Sequence, residues 1–404
     1  MLQKGQAMRH QSTRLRNPVR RILAATAALP VIGLATASPA HAQDDTFDAP
    51  AEAAAAWLAS EADGPSWSDG DVSSSLDAAI GLMAAGVGGD QVEATLEWLN
   101  DPDVLSAYIY PAGDESEDPQ LSPGAAGKVM FTVATAGGDP ADFGGVKLAD
   151  ELADASVEGI DPGALSWAAL GLSRSEAGVT EEVAAALLAA QCDDGGFTFE
   201  APEGGDCSGD PDTTGPAASA LQVIGEPAAD AHADAVTWLE EHQSESGGFD
   251  NGFGENANST AYAGQALLGA ERTEAAELAT AFLIGLQFGC GEDAEGAVRA
   301  TDPEDEEWGE SMRVLATAQA LIPLSGQHLA ELDASEQSDG IPAVECATQA
   351  GGDGAPTADD PEQQQDSDSW APWLIVGAAV LLAAIVAYTL VRVRRGNAEA
   401  KADE

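Results

Sequence analysis

Three segments of the sequence combine polar and aromatic side chains in a way that suits the binding of a small molecule. The candidate residues are Asp212, Thr213, Asn258, Ser259, Tyr262, Gln265, Trp308 and Ser311. Each segment stands at the predicted start of a helix, where backbone N–H groups lack partners. Polar groups beside flat apolar rings form the mixed surface of small-molecule sites. Each residue could instead cap a helix or pack in the core, and that interpretation is favoured for Thr213 and Ser311.

Two matching segments indicate which elements must position these residues. Residues 191–197 and 243–249 both read Gln-x3-Gly-Gly-Phe, and each follows an Ala/Leu-rich helical run. A glycine pair can end a helix in the left-handed conformation, and the aromatic residue behind it can pack back onto the last turn. The glutamine can then cap backbone groups near that turn. A repeated helix-turn-helix unit of this kind predicts a helical repeat array.

Helix openings recur about 40 to 50 residues apart, which is the spacing of two-helix repeats. Six of them lie at residues 71–74, 121–124, 160–163, 212–215, 258–261 and 308–311. A small-residue helix follows each opening, whereas partner helices such as residues 233–240 are amphipathic. The sequence therefore predicts an all-α fold, an α/α toroid of about six helix pairs with the small-residue helices inside the ring. Such a ring would bring the candidate binding residues to one mouth.

The two ends of the chain predict export and anchoring. Residues 1–42 hold six basic residues, an apolar run and Ala40-His41-Ala42, a pattern typical of a secretory signal peptide. Residues 371–391 are apolar and long enough to span a bilayer, and arginines follow them. We therefore expect a toroid ectodomain at 43–349, an acidic flexible stalk at 350–370, one transmembrane helix at 371–391 and a cytoplasmic tail at 392–404. The protein would be single-pass at the cell membrane, with its ectodomain outside.

The charge of the exported part excludes one class of partner. Residues 43–391 carry 66 acidic and six basic side chains, a formal charge of −60. Such a surface repels nucleic acid, anionic lipid and acidic polymers, so nucleic-acid binding is excluded. The favoured interpretation is a solvating surface. The sharper alternative is an electrostatic attractor for cations.

Four cysteines, Cys192, Cys207, Cys290 and Cys346, lie in the exported part. An even number in an oxidising compartment predicts two disulfides, for which three connectivities exist. Short separation favours Cys192 with Cys207, and Cys290 with Cys346 follows by elimination. No pair of His or Cys residues has zinc-site spacing, so we expect no metal and no bound cofactor.

The helix pairs and the Gln-x3-Gly-Gly-Phe turns resemble the α/α-toroid superfamily, which includes squalene-hopene cyclases, protein prenyltransferase β subunits, complement thioester domains and B12 carriers of the transcobalamin and intrinsic-factor type. The resemblance spans about residues 50–340. Residues 212–221 and 258–267 are similar to the helix openings that line the ligand cleft of the carriers, and residues 264–267 look like their Gly-Gln-x-Leu element. This resemblance implies a corrinoid as a candidate ligand. The carriers' small β domain is missing, which implies a separate covering protein.

Two other members of the superfamily match less well. The cyclases use the middle acid of Asp-x-Asp-Asp-Thr-Ala as a proton donor, which would make Asp210 and Asp212 alternative catalytic residues. Thr213 replaces the last acid, and the favoured interpretation is that Asp212 or Thr213 caps a helix. Residues 289–293 look like the thioester motif Gly-Cys-Gly-Glu-Gln, but Asp293 replaces the required glutamine, so a disulfide role for Cys290 is favoured. The zinc residues of the prenyltransferases have no counterpart.

Three hypotheses from different classes follow. The first is a membrane-anchored binding protein that captures a small ligand, such as a corrinoid or another vitamin, for a transporter. The second is a structural or protein-binding surface module, favoured by the stalk and the uniform acidity. The third is a terpenoid cyclase or prenyltransferase-like enzyme, which the low aromatic content of 5% disfavours.

Overall fold

The computed structural model describes residues 47–111, 120–199, 207–304, 308–344 and 346. The expected signal peptide (1–42), stalk (350–370), transmembrane helix (371–391) and tail (392–404) lie outside the described residues. Within the described ranges, no helix is both long and apolar enough to cross a membrane. All of these described residues belong to one compact unit, which ends at Thr348.

The described residues form thirteen α-helices and one short antiparallel hairpin. The helices are α1 (Pro50–Ser60), α2 (Val72–Ala85), α3 (Gly89–Leu99), α4 (Pro102–Ile109), α5 (Pro123–Thr135), α6 (Leu148–Ala153), α7 (Pro162–Leu172), α8 (Glu181–Ala189), α9 (Pro211–Ile224), α10 (Ala229–His242), α11 (Ala257–Gly269), α12 (Thr273–Gly285) and α13 (Trp308–Leu324). The hairpin pairs β1 (Phe249–Asp250) with β2 (Glu255–Asn256), and Phe249 faces Asn256. The expectation of a mostly helical protein is confirmed.

All six predicted helix openings coincide with the starts of helices. Asp71, Ser122, Asp161, Asp210 and Asn256 cap α2, α5, α7, α9 and α11, and each side chain accepts a hydrogen bond from a backbone N–H in the first turn. Proline at the first position of α5, α7 and α9 has no N–H to leave unpaired. The sixth opening begins α13 at Trp308. These caps explain why short polar segments separate the apolar runs.

The helices that follow these openings contact one another in a closed cyclic order. Along the chain α2 packs on α5, α5 on α7, α7 on α9, α9 on α11 and α11 on α13, and α13 packs back on α2. The other helices bridge successive members of this ring: α6, α8, α10 and α12 each contact two of them, as α1 does where the ring closes. The position between α2 and α5 is shared by α3 and α4. This arrangement is compatible with the expected toroid of six helix pairs.

The ring helices can approach closely because they carry small residues at their crossings. A Cβ added to Gly127 of α5 would lie 2.3 Å from the carbonyl oxygen of Trp167 in α7. One added to Gly215 of α9 would lie 2.5 Å from the carbonyl oxygen of Tyr262 in α11. Any larger residue would therefore push neighbouring helices apart. The Ala/Gly composition of these helices reflects their packing at backbone distance.

The two Gln-x3-Gly-Gly-Phe segments form matching turns. The Gln191 side-chain amide donates to the carbonyl oxygens of Gly195 (2.8 Å) and Ala231 (2.8 Å), and so ties the turn to the next outer helix. Gln243 makes the same pair of bonds to Gly247 (3.0 Å) and Ala275 (2.9 Å). Phe197 and Phe249 are fully buried. The capping role of the glutamines and the packing of the phenylalanines are therefore confirmed.

A third turn of this type follows α12, where the sequence motif is interrupted. The Gln287 amide donates to Gly296 O (2.9 Å) and to Pro50 O (2.8 Å), so it ties this turn to α1. Backbone N–H groups behind the turns donate to hydroxyl groups of the ring helices: Phe197 to Thr214, Phe249 to Thr260 and Val298 to Thr317. Gln287 ties the turn after α12 to α1 in the same way that Gln191 ties the turn after α8 to α10. Helix α1 therefore completes the last repeat.

Both expected disulfides are present. Cys192 bonds Cys207 with a Cα–Cα distance of 5.3 Å, and Cys290 bonds Cys346 at 5.9 Å. The second bond excludes a thioester at Cys290, because that sulfur is already bonded. Two disulfides are typical of a protein from an oxidising, extracytoplasmic environment.

Candidate functional site

A cavity of about 750 Å³ opens where α9, α11 and α13 begin. We call it the mouth cavity. Its lining residues are Asp212, Asn251, Phe253, Asn256, Asn258, Tyr262, Thr301, Trp308, Met312, Leu315 and Gln319. The β1–β2 turn supplies Phe253, and α13 supplies an apolar wall of Met312 and Leu315. The cavity thus offers polar groups on one wall and apolar surface on another.

The structure brings four of the eight predicted binding residues together in this cavity: Asp212, Asn258, Tyr262 and Trp308. They come from three helices that the sequence separates by nearly a hundred positions. The other four, Thr213, Ser259, Gln265 and Ser311, do not line it. The ring contacts between α9, α11 and α13 are what place the first four at one opening.

Asp212 is held in place by its neighbours. One carboxylate oxygen accepts a hydrogen bond from the Ser259 hydroxyl (2.6 Å), and the other accepts one from the Asn251 side-chain amide (2.8 Å). Ser259 is fully buried, so it supports Asp212 from behind the cavity wall. The carboxylate is therefore a fixed acceptor on the wall of the mouth cavity.

The helix cap of α9 is Asp210, which corrects the expectation that Asp212 or Thr213 has this role. Asp210 accepts hydrogen bonds from the Thr213 backbone N–H (2.9 Å) and hydroxyl (3.1 Å). Burial raises the pKa of the Asp210 carboxyl, while its hydrogen bonds to Thr213 lower it. Thr213 is buried against this cap. The first residue of the alternative catalytic pair thus serves the helix start, and only the second lines the cavity.

A chain of hydrogen bonds joins Asn258, Gln319 and Tyr262 across the cavity wall. The Asn258 amide donates to Gln319 Oε1 (2.7 Å), and the Gln319 amide donates to the Tyr262 hydroxyl (2.9 Å). Gln319 was missed by the sequence analysis, although a signal existed. It stands two residues after Thr317, as Tyr262 stands two residues after Thr260, and both threonines accept the N–H of a repeat turn.

The Tyr262 hydroxyl is held neutral. Burial raises the pKa of Tyr262 well above its usual value, and the nearby carboxylates of Asp77 and Asp212 raise it further. A neutral phenol can donate its proton in a hydrogen bond while it accepts the Gln319 amide. Tyr262 therefore offers a donor beside the acceptor oxygens of Asp212.

Gln265 has a structural role, so the Gly-Gln-x-Leu element does not supply a cavity residue. Its side chain is fully buried, and its amide donates to the Ser219 hydroxyl (2.9 Å) and the Tyr262 carbonyl oxygen (3.1 Å). Its Oε1 accepts the Leu329 backbone N–H (2.9 Å). Gln265 stands one helical turn beyond Tyr262, on the side of α11 that packs on its neighbours. It joins α9, α11 and the segment after α13.

Ser311 and Trp308 lie at the exposed start of α13. The Ser311 hydroxyl donates its proton to the Trp308 carbonyl oxygen (2.7 Å), which is a local contact within the first turn of α13. The Trp308 side chain is 49% exposed, and Phe253 on the hairpin turn is 94% exposed. The mouth cavity therefore has two large aromatic side chains at its rim.

A buried ion pair, whose Asp77 carboxylate influences Tyr262, was not identified from the sequence. The Lys128 ammonium lies 2.8 Å from the Asp77 carboxylate, both side chains are buried, and Lys128 also lies over the Trp167 ring. Burial raises the pKa of Asp77, and Lys128 opposes that shift. Charged residues in otherwise apolar helices α2 and α5 were the available signal. Ser73 O and Oγ lie 3.3 Å from the ammonium and complete its shell.

One group of metal-ligand types lies together in the described residues, namely Cys290, Glu295 and Cys346. Both sulfur atoms belong to a disulfide. They are therefore not thiolate ligands, and the group stabilises the turn after α12.

Comparisons with known proteins assign neither a family nor an activity to this chain. No protein-family description and no curated protein sequence matches this chain. A wild-type glycosidase structure matches with 16% identity and a TM-score of 0.46, over 70% of this chain and 96% of the other. Two glycosidase variants match with TM-scores of 0.46 and 0.44, also at 16% identity, over 70% and 69% of this chain and 96% of theirs. At these values the likeness carries no inference about activity.

Proposed function

We propose that this chain is an extracytoplasmic α/α toroid that binds a small ligand in the mouth cavity. One observation carries the proposal: four polar and aromatic residues from three separate helix starts line a single cavity of about 750 Å³. Small-molecule sites span roughly 300 to 1,000 Å³ and combine apolar walls with a few fixed polar groups. The single-pass anchor at 371–391 and the cytoplasmic tail belong to the same proposal and rest on the sequence alone.

The polar groups of the cavity are held in place before a ligand arrives. Asp212 is fixed by Ser259 and Asn251, and Tyr262 is fixed by Gln319. Fixed groups lose little conformational freedom when they bind, which favours affinity. The hydroxyl of Tyr262, the amides and the carboxylate then supply both donors and acceptors.

A corrinoid remains one candidate ligand, with reduced support. Gln265, the side chain on which the resemblance to B12 carriers mainly rested, is bound within the core. The remaining support is the position of the cavity at the openings of α9 and α11. Cyanocobalamin is therefore one probe among others.

A protein partner belongs to the same proposal. Phe253 and Trp308 expose aromatic surface at the rim of the mouth cavity. Such surface suits a covering protein or a transporter that closes over bound ligand. The alternative function, a protein-binding surface module with no small ligand, draws its support from these same two residues.

The enzyme alternative gains less from the geometry. Both Asp212 oxygens accept hydrogen bonds, whereas a proton donor must present a hydrogen to its substrate. Asp210 is engaged by Thr213 at the helix cap. Ligand capture therefore accounts for more of the site than cyclisation does.

Native mass spectrometry of the full chain tests the proposal. The protein is incubated with the small-molecule fraction of its host cells, and separately with cyanocobalamin. We expect wild-type protein to retain a small molecule and Tyr262→Phe to retain it about fivefold less, since one hydrogen bond is lost. Tyr110→Phe is the matched control, because that hydroxyl bonds Glu151 away from the cavity.

Three outcomes are distinguishable. Retention by wild type that falls only in Tyr262→Phe supports the proposal. Retention that is equal in both variants moves the ligand away from the mouth cavity. No retained species from either source rejects small-ligand binding and leaves the surface module.

A further inference from the structure

The charges around the mouth cavity are unequal, and this imbalance bears on the chemistry of its ligand. Among the described lining residues, Asp212 is the one acidic side chain and no lysine, arginine or histidine contributes. Two nearby bases are already paired: Lys128 with Asp77 at 2.8 Å, and Arg313 with Glu304 at 2.6 Å. The Asp212 charge is therefore not compensated by a base on the cavity wall.

Helix starts oppose this imbalance only weakly. The N-terminus of a helix carries about +0.5 of an elementary charge. The first turn of α9 holds two carboxylates, Asp210 as the cap and Asp212 on the cavity wall. The starts of α9, α11 and α13 together supply about +1.5, which these two negative charges still exceed, so the polar wall of the cavity attracts cations.

Three aromatic side chains line the same cavity as this carboxylate. Tyr262, Trp308 and Phe253 all line the mouth cavity with Asp212. Aromatic faces attract cations within about 6 Å and recognise quaternary ammonium groups, and a carboxylate adds Coulomb attraction for the same charge. The apolar wall of Met312 and Leu315 suits the hydrocarbon part of the same ligand.

We propose that the ligand of the mouth cavity is an organic cation, an ammonium group joined to an apolar body. The ammonium lies against Asp212 and the aromatic rings, and the apolar body lies against Met312 and Leu315. The charge of −60 on the exported sequence adds long-range attraction for such a cation. This inference rests on the proposed function, because it names the ligand class for the same cavity.

Three probes with one phenyl ring and different charges test the inference. Benzyltrimethylammonium is positive, benzyl alcohol is neutral and benzoate is negative. Isothermal titration of the full chain should give the order positive, neutral, negative, with the cation bound at least about fivefold more tightly than the alcohol. If the alcohol or benzoate binds as tightly as the cation, the inference is overturned while small-ligand binding stands.

Asp212→Asn locates the effect. The substitution should lower the affinity for the cation about tenfold and the affinity for the alcohol less than about twofold, since a charge-assisted contact is roughly twice as strong as a neutral one. Glu241→Gln is the matched control, because it removes one charge from the exposed end of α10. If both variants lose the same affinity for the cation, the attraction comes from the net charge of the whole protein, and the proposed cation site at Asp212 is overturned.

Trp308→Leu keeps the test decisive if Asp212→Asn lowers the melting temperature. Leucine preserves apolar contact but removes the aromatic face. We expect cation affinity to fall by about threefold or more, with alcohol affinity nearly constant. Equal losses for both probes overturn the aromatic contribution. If no probe binds wild type, the inference fails, and the retention experiment decides the proposed function independently.

Discussion

At the scale of single residues, two of the cavity side chains share one position relative to a repeat turn. Tyr262 and Gln319 stand two residues after the threonines that accept a turn N–H, and both line the mouth cavity. Gln265 stands three residues beyond Tyr262 and is buried against α9. The prediction of Gln265 as a cavity residue rested on its helix opening and on the Gly-Gln-x-Leu resemblance, neither of which specifies the face of α11 on which it lies.

The lowered pKa of one half-buried histidine leads to a prediction at this scale. Burial lowers the pKa of His232 from 6.5, and nearby Arg272 lowers it further. The unfolded chain therefore binds this proton more readily than the folded chain does. The stability from neutral His232 is fully present above pH 6.5 and is lost as pH falls towards the lowered pKa.

We expect His232→Gln to remove this contribution. Urea unfolding at about pH 7.5 and about pH 5.5 measures it, because the wild-type chain should lose stability relative to the variant on acidification. The comparison cancels the general effect of protonating surface carboxylates, which both proteins share. Equal pH dependence in the two proteins contradicts the prediction.

At the scale of elements, the glutamine of each repeat turn joins two helices that are distant in sequence. Gln287 is the clearest example, since its amide bonds Pro50 at the start of α1. The sequence motif is not recognisable at this turn, because nine positions separate Gln287 from the left-handed Gly296. The corresponding interval from Gln191 to Gly195 is four positions. The insertion carries Cys290 and its disulfide.

Gln287→Ala should therefore lower the free energy of unfolding by about 1 to 3 kcal/mol, since it leaves backbone carbonyls without a partner. Gln191→Ala and Gln243→Ala should give losses of similar size. Gln91→Ala is the matched control: its amide donates to Gly64 O on an exposed surface, so the change should be within about 0.5 kcal/mol. Denaturant unfolding gives all four values, and a loss at Gln287 no larger than the control would refute the bridging role.

At the scale of the whole molecule, charge opposes compactness. Residues 43–391 carry 66 acidic and six basic side chains. Their mutual repulsion destabilises the folded state, and salt screens it because the Debye length falls from about 10 Å at 0.1 M to about 3 Å at 1 M.

We expect the melting temperature of the full chain to rise by several degrees, about 2 to 5 °C, between 0.1 M and 1 M sodium chloride. Scanning calorimetry measures it. Sucrose at matched osmolality is the control, because it stabilises proteins without screening charge. A melting temperature that stays constant or falls in salt would show that self-repulsion is not a main destabilising force.

Local features of this protein were determined by the sequence itself. The caps at Asp71, Ser122 and Asp161 involve groups three residues apart, and the Cys192–Cys207 disulfide joins cysteines 15 positions apart, so residue types and spacing suffice for both. The turns at Gln191 and Gln243 belong to the same class. Cys290 with Cys346 followed because the first pair left no other partner.

Only the tertiary structure decided which face of each ring helix lines the cavity and which is buried in the core. The rotation of α11 and α13 depends on close helix crossings, such as Gly215 against Tyr262, and these involve residues far apart in the chain. The crossing of α2 with α5 pairs Lys128 with Asp77, and the crossing of α11 with α13 places Gln319 beside Tyr262. If one of these helices turned about its axis by one residue, about 100°, residues of the cavity would exchange places with residues of the core. The rotation of a helix cannot be predicted from hydrophobic periodicity when alanine occupies every side of it.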